Sequence, residues 1–506
     1  MATNASYREM TEEDQHDVIL GDIHRTIETL LEPVLFRPGH DDPLDLEQAV
    51  QEAMRTAGDA ITAYHLRRAH RDKAYVKQAV QAAYDEAQER GERLRNQGWR
   101  PVPVQFQGGS PHVIWTPYLR QDLSGRRGRR RGTGRRGPDG SGTYPALVAL
   151  GVESHCSALT RSDIALHTIL CSSYEEARTL LARRGIRLDI DTLTAIAVEI
   201  GQQSKDLKDA ALEMARQMPV PEGGLLAGRR VRVSVDGGRT RTRVTNPRAR
   251  KGKNGRRKFT TAWREPRILT IDILDDEGSS DPHWRPIYDV TLGNADGTFA
   301  LLVGHLRWLG AAYADEVLFV ADGAEWIWNR VDAMQDAAEI QPDRFHRVLD
   351  YYHAAEHITE ILDLCKGMSA AQRKQEIRRL SRLLRDAPDG AAQVVEELRS
   401  RAIGRRARKI KDKLAYLEGH LAHMQYAALR ARKLPIGSGI VESAVRRVIN
   451  LRFKGASIFW KVEHLEPLLF LRAIWKSGWW DDMCRGLIRN TCYLEFQFPQ
   501  AWDSAA

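Results

Sequence analysis

The chain has few cysteines, and none of them forms a Cys-x-x-Cys pair. The five cysteines are scattered along 506 residues, at Cys156, Cys171, Cys365, Cys484 and Cys492. This excludes a zinc ribbon, and the odd count is typical of a reducing compartment. No apolar run approaches the length that spans a bilayer, and the polar first residues do not resemble a signal peptide. We therefore expect a soluble cytoplasmic protein without a membrane partner.

Acidic residues are missing from one long stretch. Residues 237–264 contain eleven lysines and arginines and no acid, in a chain with a net charge of +9. Seven arginines fall within 126–136, and a third basic cluster spans 399–413. Clustered positive charge binds polyanions by releasing their counterions, so nucleic acid is the expected partner. For 126–136, which is dominated by glycine and arginine, a solvated basic loop is the alternative.

The texture of the sequence changes several times along the chain. A hydrophobic content of 42% over 506 residues predicts more than one folded core. Helical spacing dominates the beginning of the chain, and alternating β-branched runs begin near residue 228. We predict a helical region at 1–100, a basic Gly/Arg-rich linker with a short β element at 101–154, a helix-turn-helix-like DNA-binding segment at 155–225, an α/β domain at 228–367 and 435–480, an all-α insertion at 368–434 and a C-terminal tail at 481–506.

Two short helices are predicted between residues 155 and 203. Ser173 followed by Glu176 fits a capping box, and Gly185 fits the end of that helix. Asp189 fits the cap of a second helix that ends at Gly201. Two short helices joined by a tight turn are typical of helix-turn-helix proteins, and a plain helical hairpin is the alternative.

The α/β domain is predicted from runs of alternating and continuous apolar residues. VRVSVDGGRTRTRV, RILTIDILDD and RPIYDVTLG predict three strands, and TFALLVGHLRWLGAAYA predicts a helix. EVLFVADGAEW is more continuously apolar, as expected of a buried strand. RFHRVLDYYHAAEHITEILDL predicts a short strand that leads into a helix. Three meandering strands followed by α/β units predict a mixed sheet.

Three acidic residues stand far apart in the chain in distinctive settings. Asp236 ends the run VRVSVDGG, Asp322 ends the apolar part of EVLFVADGAEW, and Glu442 lies just inside a helix that opens at LPIGSGIVESAVRRVIN. Two carboxylates at strand ends and a third on a helix favour a site for Mg²⁺ ions that act on a phosphate backbone. Mg²⁺ prefers hard oxygen ligands, and two such ions can clamp the attacking and leaving oxygens of a displacement.

Each of these acids also has a plain structural explanation. Asp236 fits an Asp-Gly-Gly hairpin turn, and Asp322 fits the cap of a following helix. Glu442 lies four residues before Arg446, so a surface ion pair is possible there. Ser438 fits the cap of the helix that carries Glu442.

Taken together, these motifs resemble the DDE transposases of bacterial insertion sequences, of the ISKra type that is related to the Mutator-like group. The resemblance rests on VSVDGGR, VADGAEWIW, LDYYHAAEH and IGSGIVESAVRRVINLRFKG, and it covers residues 160–475. It implies a ribonuclease-H-like mixed sheet with an all-α insertion, preceded by a mainly helical N-terminal region. Some relatives carry a cysteine zinc motif upstream, which this chain lacks.

The resemblance implies Mg²⁺-dependent cleavage of insertion-sequence ends and strand transfer to target DNA. It assigns catalysis and the binding of two Mg²⁺ or Mn²⁺ ions to Asp236, Asp322 and Glu442, and its Asp-x-x-His signature matches Asp350 and His353 as supporting residues. The implied partner is double-stranded DNA, and the synapsis of two ends implies a homodimer or higher oligomer. The implied location is the bacterial cytoplasm, at the nucleoid.

Basic side chains near the acids are the expected DNA contacts. Arg446 is expected to support the site by clamping a phosphate, and Asp289 and Asp296 are further carboxylates near the same sheet. The predicted DNA-binding residues are Arg126, Arg127, Arg129, Arg130, Arg131, Arg239, Arg241, Arg250, Lys251, Lys253 and Arg447.

Other functions remain as alternatives. His353, Glu356 and His357 fit the His-x-x-Glu-His pattern of a zinc metallopeptidase, in which the histidines bind zinc and the glutamate is the general base. A transposase-derived DNA-binding protein that no longer cuts is a second alternative. A stand-alone ribonuclease-H-like nuclease is a third.

Overall fold

The structure is a computed structural model that describes residues 42–109, 111–122, 142–245, 248, 250, 252 and 257–497, with part of the segment 18–32. The described chain forms two compact units. One comprises the residues up to Ile200 with Cys484–Thr491, and the other comprises Gly201–Met483 with the residues from Cys492 on. The strands are β1 Leu94–Val104, β2 His112–Gln121, β3 Gly142–Thr143, β4 Arg230–Gly237, β5 Thr240–Thr245, β6 Phe259–Arg264, β7 Arg267–Leu274, β8 Ile287–Thr291, β9 Glu316–Ala321 and β10 Phe345–Leu349.

Helices occur in both units. In chain order, the described residues form α1 Pro43–Ala69, α2 Lys73–Glu89, α3 Pro145–Val148, α4 Ala158–Leu170, α5 Tyr174–Arg183, α6 Ile190–Gln217, α7 Ala295–Trp308, α8 Glu325–Trp328, α9 Val331–Ala337, α10 Tyr351–Leu364, α11 Ala370–Asp386, α12 Gly390–Ser400, α13 Ala407–Gly419, α14 Tyr426–Ala431, α15 Gly439–Ala444, α16 Leu451–Phe453, α17 Val462–Ser477 and α18 Trp480–Arg489. A π-helical turn, Val445–Asn450, joins α15 to α16.

The first unit contains a three-stranded antiparallel sheet in the order β1-β2-β3. In β1 the exposed Pro101 and Pro103 alternate with the buried Val102 and Val104. Proline is tolerated because β1 is an edge strand. The two valines join a core with Ala63, Leu66, Phe106, Ile114, Leu147 and Val152. The stretch expected to be a linker with one short β element is therefore a folded sheet where it is described. The prediction missed it because the high proline content drew attention away from the alternation of exposed and buried residues. The strand β1 also begins inside the region expected to be helical.

The helices between residues 158 and 217 differ from a helix-turn-helix motif. Ser173 accepts the Glu176 N–H at 3.1 Å, the φ of Gly185 is 88°, and Asp189 accepts the Thr192 N–H at 2.7 Å, so the three capping positions are confirmed. The capping box is not completed, because the Glu176 carboxylate accepts the N–H of Ser172 at 2.7 Å and not that of Ser173. However, α6 does not end at Gly201 and runs on to residue 217. The predicted short second helix is therefore wrong.

Gly201 has a packing role that explains the error. A Cβ at this position would lie 2.6 Å from the backbone oxygen of Pro467. Such a contact is too short for any larger residue, so the glycine allows a close approach of two backbones and does not stop the helix.

The second unit is built on a five-stranded mixed sheet in the order β10-β9-β4-β7-β8. The central strand β4 is antiparallel to β7 and parallel to β9, while β8 is antiparallel to β7 and β10 is parallel to β9. Helices α7, α15 and α17 pack against this sheet. The mixed α/β architecture predicted from the sequence is confirmed.

Strands β5 and β6 form a separate two-stranded antiparallel hairpin. The run VRVSVDGGRTRTRV, which was expected to be one strand, is therefore two strands that part at the glycines. Since β4 pairs with β7 and β9 and not with β5, the hairpin-turn explanation of Asp236 is wrong. The Gly238 N–H donates to the Pro266 carbonyl at 2.7 Å and closes the base of the β5–β6 hairpin.

The chain between α10 and α15 contains helices and no strand in its described residues. Leu380, Leu398 and Leu414 are fully buried and come from α11, α12 and α13. They share one core with Leu318 of β9 and Val348 of β10. The helical insertion is thus packed against β9 and β10, the two strands that are followed by Asp322 and Asp350.

No helix of the described residues is long and apolar enough to cross a membrane. The five cysteines are all free thiols.

Candidate carboxylate site at the sheet edge

Three aspartates follow neighbouring parallel strands at the same edge of the sheet. β4 and β9 pair in parallel from Arg230 and Glu316 to Val233 and Phe319, and Asp236 and Asp322 each lie three residues beyond the last pair. The N–H of Asp350, the residue after β10, donates to the carbonyl of Ala321 at 2.8 Å. Neighbouring strands lie about 4.8 Å apart. The sheet therefore sets Asp236, Asp322 and Asp350 in one row at its carboxyl edge, where α/β proteins commonly bind ligands.

Asp236 is half-buried at the end of the central strand, and its Oδ1 accepts the Gly237 N–H at 2.6 Å. Burial raises the pKa of Asp236 to about 6, and the negative charges of Asp322 and Glu442 add to the rise. The charges of the two other acids named from the sequence therefore act on Asp236, although the three residues lie far apart in the chain. A carboxylate in such a setting is stabilised in its charged form by a bound cation.

Asp322 is held by the loop that follows β9. Its Oδ1 accepts the Ala324 N–H at 3.1 Å, and its backbone carbonyl accepts the indole N–H of Trp328 at 2.5 Å. The residue that caps α8 is Ala324, so the helix-cap explanation of Asp322 is wrong. In the described structure Oδ2 of Asp322 accepts no hydrogen bond, which leaves it available to a ligand.

Glu442 is exposed in the first turn of α15. Its Oε1 accepts the hydroxyl of Ser438 at 3.2 Å. No ion pair joins Glu442 to Arg446 in the part of the chain that the structure describes, so the surface-pair explanation is wrong. The chain passes into the π-helical turn immediately after α15, which changes the spacing of side chains on this helix. Such turns are frequent at functional sites.

Asp350 is fully buried, and four protein donors occupy its carboxylate. Oδ1 accepts the N–H groups of Tyr352 at 2.6 Å and His353 at 3.0 Å. Oδ2 accepts the N–H and the hydroxyl of Ser438, each at 2.5 Å. Burial opposes the charge, but the contacts with His353 and Ser438 outweigh it and lower the pKa of Asp350 to about 2. The charged carboxylate of Asp350 therefore fixes the first turn of α10 and the start of α15 by hydrogen bonds. These donors already occupy both of its oxygens, so Asp350 is not an open ligand for a metal ion.

Ser438 stands at the N-cap position of α15, but its hydroxyl accepts no helix N–H. The hydroxyl shares its single proton between Oδ2 of Asp350 at 2.5 Å and Oε1 of Glu442 at 3.2 Å. The predicted side-chain cap is therefore wrong. The sequence contained no signal for this link, since Ser438 and Asp350 are 88 positions apart.

His353 contacts Asp350 and is close enough to Asp322 for their charges to interact. Its Nδ1 is 3.5 Å from Oδ1 of Asp350. This contact raises the pKa of His353 to about 9, and the charge of Asp322 adds to the rise. Ligand atoms of Asp350, His353 and Glu442 lie within 4.8 Å of one another. A protonated imidazole has no lone pair for a metal ion, and Asp350 is saturated, so Glu442 is the available ligand of this group.

The His-x-x-Glu-His motif does not assemble a zinc site. The ring of His357 stacks on Tyr416, with 3.7 Å between centroids and 14° between planes. His357 belongs to no group of metal-ligand spacing among the described residues. Glu356 is exposed. The metallopeptidase alternative therefore lacks its ligand set.

Aromatic residues of the helical insertion pack against the loop that follows Asp322. A Cβ on Gly323 would lie 2.1 Å from the ring of Tyr416. His423 stacks on Trp328, with 4.3 Å between centroids. The indole of Trp328 in turn donates to the carbonyl of Asp322. Sequence reasoning missed Tyr416 and His423, because a contact between a loop and a helix about ninety residues later leaves no local pattern.

The predicted basic residues lie in different settings. Arg239 and Arg250 are exposed, and Arg241 is half-buried and donates to the Gly455 carbonyl. Arg446 is exposed, whereas Arg447 donates to the hydroxyl of Tyr288 at 2.8 Å. The residues that lie outside the described part are Arg126, Arg127, Arg129, Arg130, Arg131, Lys251 and Lys253.

The two further carboxylates are occupied elsewhere. Asp289 is fully buried between Lys208 Nζ at 2.6 Å and His305 Nε2 at 2.9 Å. Despite its burial, Lys208 and His305 hold the pKa of Asp289 well below its usual range. Asp296 pairs with Arg330 at 2.6 Å. Both carboxylates therefore already have cationic partners away from the three acids.

The donor set at the sheet edge suits hard divalent cations. Asp236, Asp322 and Glu442 supply carboxylate oxygens, which Mg²⁺ and Mn²⁺ prefer. Oδ2 of Asp322 has no protein donor in the described structure, and the charge of Glu442 raises the pKa of Asp236. These three residues could therefore hold metal ions.

Comparison with known protein families finds no matching family model, and comparison with curated proteins finds no match. Among solved structures, the chain is similar to a Drosophila P element transposase strand transfer complex. The identity is 13%, the TM-score is 0.22, and the match covers 67% of this chain and 80% of that one. A likeness of this degree does not establish a shared fold or function.

Proposed function

We propose that this chain is a DNA transposase whose Asp236, Asp322 and Glu442 bind two divalent cations and act on phosphodiester bonds. The observation that carries the proposal is the convergence of the three acids at the sheet edge. Because β4 and β9 are parallel neighbours, Asp236 and Asp322 follow them at the same edge of the sheet, and the charges of Asp322 and Glu442 both raise the pKa of Asp236. A two-metal phosphodiester site needs carboxylates that converge in this way.

The sheet topology supports a ribonuclease-H-like catalytic domain. β4, β7 and β8 form an antiparallel meander, and β9 and β10 join on the other side of β4, parallel to it. This is the arrangement of a ribonuclease-H-like sheet. The helical insertion falls between the strand that ends at Asp322 and the helix that carries Glu442, as the resemblance to DDE transposases implies.

The proposed chemistry is positioning and charge neutralisation, without a covalent protein intermediate. Bound Mg²⁺ or Mn²⁺ would supply an activated water for cleavage, an activated 3′-hydroxyl for strand transfer, and neutralisation of the phosphate charge. Asp236 and Asp322 offer their oxygens from the ends of buried strands, so their backbones are held rigidly. Glu442 offers its carboxylate from a helix whose first turn Asp350 anchors through Ser438.

His353 is proposed to position the acids. Its imidazolium, held by Asp350, faces the negative charges of Asp322 and Asp236. It offsets their mutual repulsion before a cation binds, and it can then donate a hydrogen bond to a phosphate oxygen. Double-stranded DNA is the proposed substrate, and a dimer assembled on two DNA ends is the proposed active form.

The test uses a supercoiled plasmid that carries the reading frame with its genomic flanks. With Mg²⁺ or Mn²⁺ the purified protein is expected to cut at the ends of the element. Asp236→Asn, Asp322→Asn and Glu442→Gln are each expected to lower cleavage by at least about 100-fold, with DNA binding retained in a gel-shift assay. Glu325→Gln changes an exposed acid close to Asp322 and serves as the matched control.

The outcomes separate the alternatives. Normal cleavage by any of the three variants would mean that the carboxylate site is assigned wrongly. Tight DNA binding by the unaltered protein, with no cleavage in either metal, would favour a DNA-binding protein that has lost activity. Cleavage of any duplex, without regard to the flanks, would favour a stand-alone nuclease.

A further inference from the structure

The β5–β6 hairpin presents an exposed face that the proposed chemistry does not use. Successive residues of a strand point to opposite faces, and residues opposite one another in the ladder share a face. Arg241 stands opposite Trp263. Trp263 is 54% exposed and Phe259, on the same face, is 43% exposed. Thr242, on the other face, is fully buried. We call the side that carries Trp263 the outer face of the hairpin.

The outer face combines aromatic rings with positive charge. The guanidinium carbons of Arg239 and Arg241 lie 5.1 Å and 5.7 Å from the centre of the Trp263 ring. Arg243 is exposed on the same face. No acidic residue occurs anywhere between residues 237 and 264. The partner that this face fits is therefore a polyanion with flat rings.

The hairpin leaves the sheet at the acidic edge. β5 begins four residues after Asp236, and the base of the hairpin is closed where Gly237 pairs with Arg267 in the main sheet. A strand advances by about 3.4 Å per residue and neighbouring strands lie about 5 Å apart. Since Trp263 stands opposite Arg241, which is five residues after Asp236, Trp263 lies within roughly 22 Å of Asp236. Since base pairs of duplex DNA are about 3.4 Å apart, this reach corresponds to roughly six nucleotides.

We propose that the outer face of the hairpin binds an unpaired DNA strand beside the cleavage site, with Trp263 stacked on one of its bases. Arg239 and Arg243, which are exposed, would hold the phosphates of that strand, because Arg241 already donates to the Gly455 carbonyl. An exposed ring can stack only on a base whose own face is free, and bases within a duplex are covered by their neighbours. This inference rests on the proposed transposase function, because it places the strand next to a site that cuts DNA.

The direct test measures binding to a short fluorescent oligothymidine without divalent cations, so that no strand is cut. Trp263→Ala is expected to weaken this binding about 5- to 150-fold, the range that corresponds to the loss of one stacked base. Trp263→Phe keeps a stacking ring and is expected to retain most of the affinity. Trp115→Ala removes another exposed tryptophan, which is 42% exposed in the first unit, and is expected to leave the affinity unchanged. Thermal unfolding verifies that each variant is folded.

A second measurement tests the position of the strand. On the donor plasmid Trp263→Ala is expected to slow cleavage, and a substrate with mismatched bases near the cleavage site is expected to reduce this defect. Equal binding of oligothymidine by Trp263→Ala and the unaltered protein would overturn the inference. So would an equal loss of duplex and single-strand binding, or a change of oligomeric state without DNA, which would make this face a contact between copies of the chain.

The two proposals can fail separately. If the unaltered protein cuts no DNA but Trp263→Ala still weakens strand binding, the transposase proposal fails and the strand-binding face stands. If the unaltered protein cuts the plasmid and Trp263→Ala behaves identically in both assays, the catalytic proposal stands and the role of the hairpin is wrong.

Discussion

Ser438 donates two hydrogen bonds to the buried carboxylate of Asp350, one from its backbone N–H and one from its hydroxyl, each at 2.5 Å. The two residues are 88 positions apart, and the helical insertion lies between them. This contact fastens the first turn of the helix that carries Glu442 to the end of β10. The third acid of the site is therefore positioned by a residue that need not touch a metal ion.

Ser438→Ala is expected to destabilise the protein by about 1.5–3 kcal/mol, the typical worth of a hydrogen bond to a charged group. The substitution leaves Oδ2 of the buried Asp350 with the backbone donor alone. Urea unfolding measures the loss. Ser443→Ala, on the same helix, is the matched control and is expected to change stability by much less. Equal effects of the two substitutions would contradict the role of the Ser438 hydroxyl.

Divalent cations are expected to raise the Tm of the protein through Asp236. At a concentration about 100-fold above Kd a bound ion adds about 2.7 kcal/mol to the unfolding free energy. Asp236→Asn is expected to lose most of this gain, yet to be more stable than the unaltered protein in EDTA, because it removes a charge that burial and Asp322 disfavour. Thermal scans with and without Mn²⁺ measure both effects. Glu325→Gln should respond to Mn²⁺ as the unaltered protein does, and an undiminished Mn²⁺ gain in Asp236→Asn would count against the metal site.

Gly323→Ala is expected to destabilise the loop after Asp322 by about 1–3 kcal/mol, because the added methyl would overlap the ring of Tyr416. The overlap should disappear in Gly323→Ala/Tyr416→Ala. The double variant is therefore expected to lose at least about 1 kcal/mol less than the sum of the single variants. A double-mutant cycle by urea unfolding measures the coupling. Gly419→Ala, where no atom lies within 4 Å of the added Cβ, is the control. Additive losses would show that the ring and the loop are independent.

The stability of the first unit is expected to fall as pH rises from about 4 to 7 through Asp59. Burial raises the pKa of Asp59 from 3.8 to about 6, although hydrogen bonds such as that from the Gly108 N–H at 2.7 Å oppose the rise. The carboxyl group of Asp59 therefore binds its proton more tightly in the folded state than in the unfolded state. This difference adds to the unfolding free energy at low pH, and the contribution is lost as pH rises through the folded-state pKa.

Asp59→Asn keeps the acceptor for Gly108 and removes the titration. Relative to the unaltered protein, the variant should gain about 1–3 kcal/mol of unfolding free energy between pH 4 and pH 7. Urea unfolding at both pH values measures the difference. Asp45→Asn, an exposed position on the same helix, is the control. A gain of the same size in Asp45→Asn would contradict the assignment to Asp59.

Much of the second unit could be predicted from local pattern. β9 and β10 lie within the predicted runs EVLFVADGAEW and RFHRVLDYY, and in β9 buried apolar side chains fill both faces of the strand. Asp236 and Asp322 were singled out because each ends an apolar run and precedes a glycine. These features depend on neighbouring residues, so the sequence displays them directly.

Other features could not be predicted, because they depend on contacts between distant segments. The glycine at 201 was expected to end a helix, but the backbone of Pro467 approaches it and the helix continues. Ser438 was expected to cap its own helix, but a buried carboxylate competes for its hydroxyl. In both cases a tertiary contact outweighs a local preference.

The sequence by itself determined most strands and helices of the second unit, which acids follow apolar runs, and that the segment between residues 237 and 264 is positively charged. Alternation, capping residues and charge are local properties, and they act through neighbours in the chain. Only the tertiary structure decided that Asp236 and Asp322 meet at one edge of the sheet, that Asp350 binds Ser438, and that Tyr416 packs over Gly323. Strand register and close backbone approach are settled by packing between segments tens to hundreds of residues apart, which a linear pattern does not record.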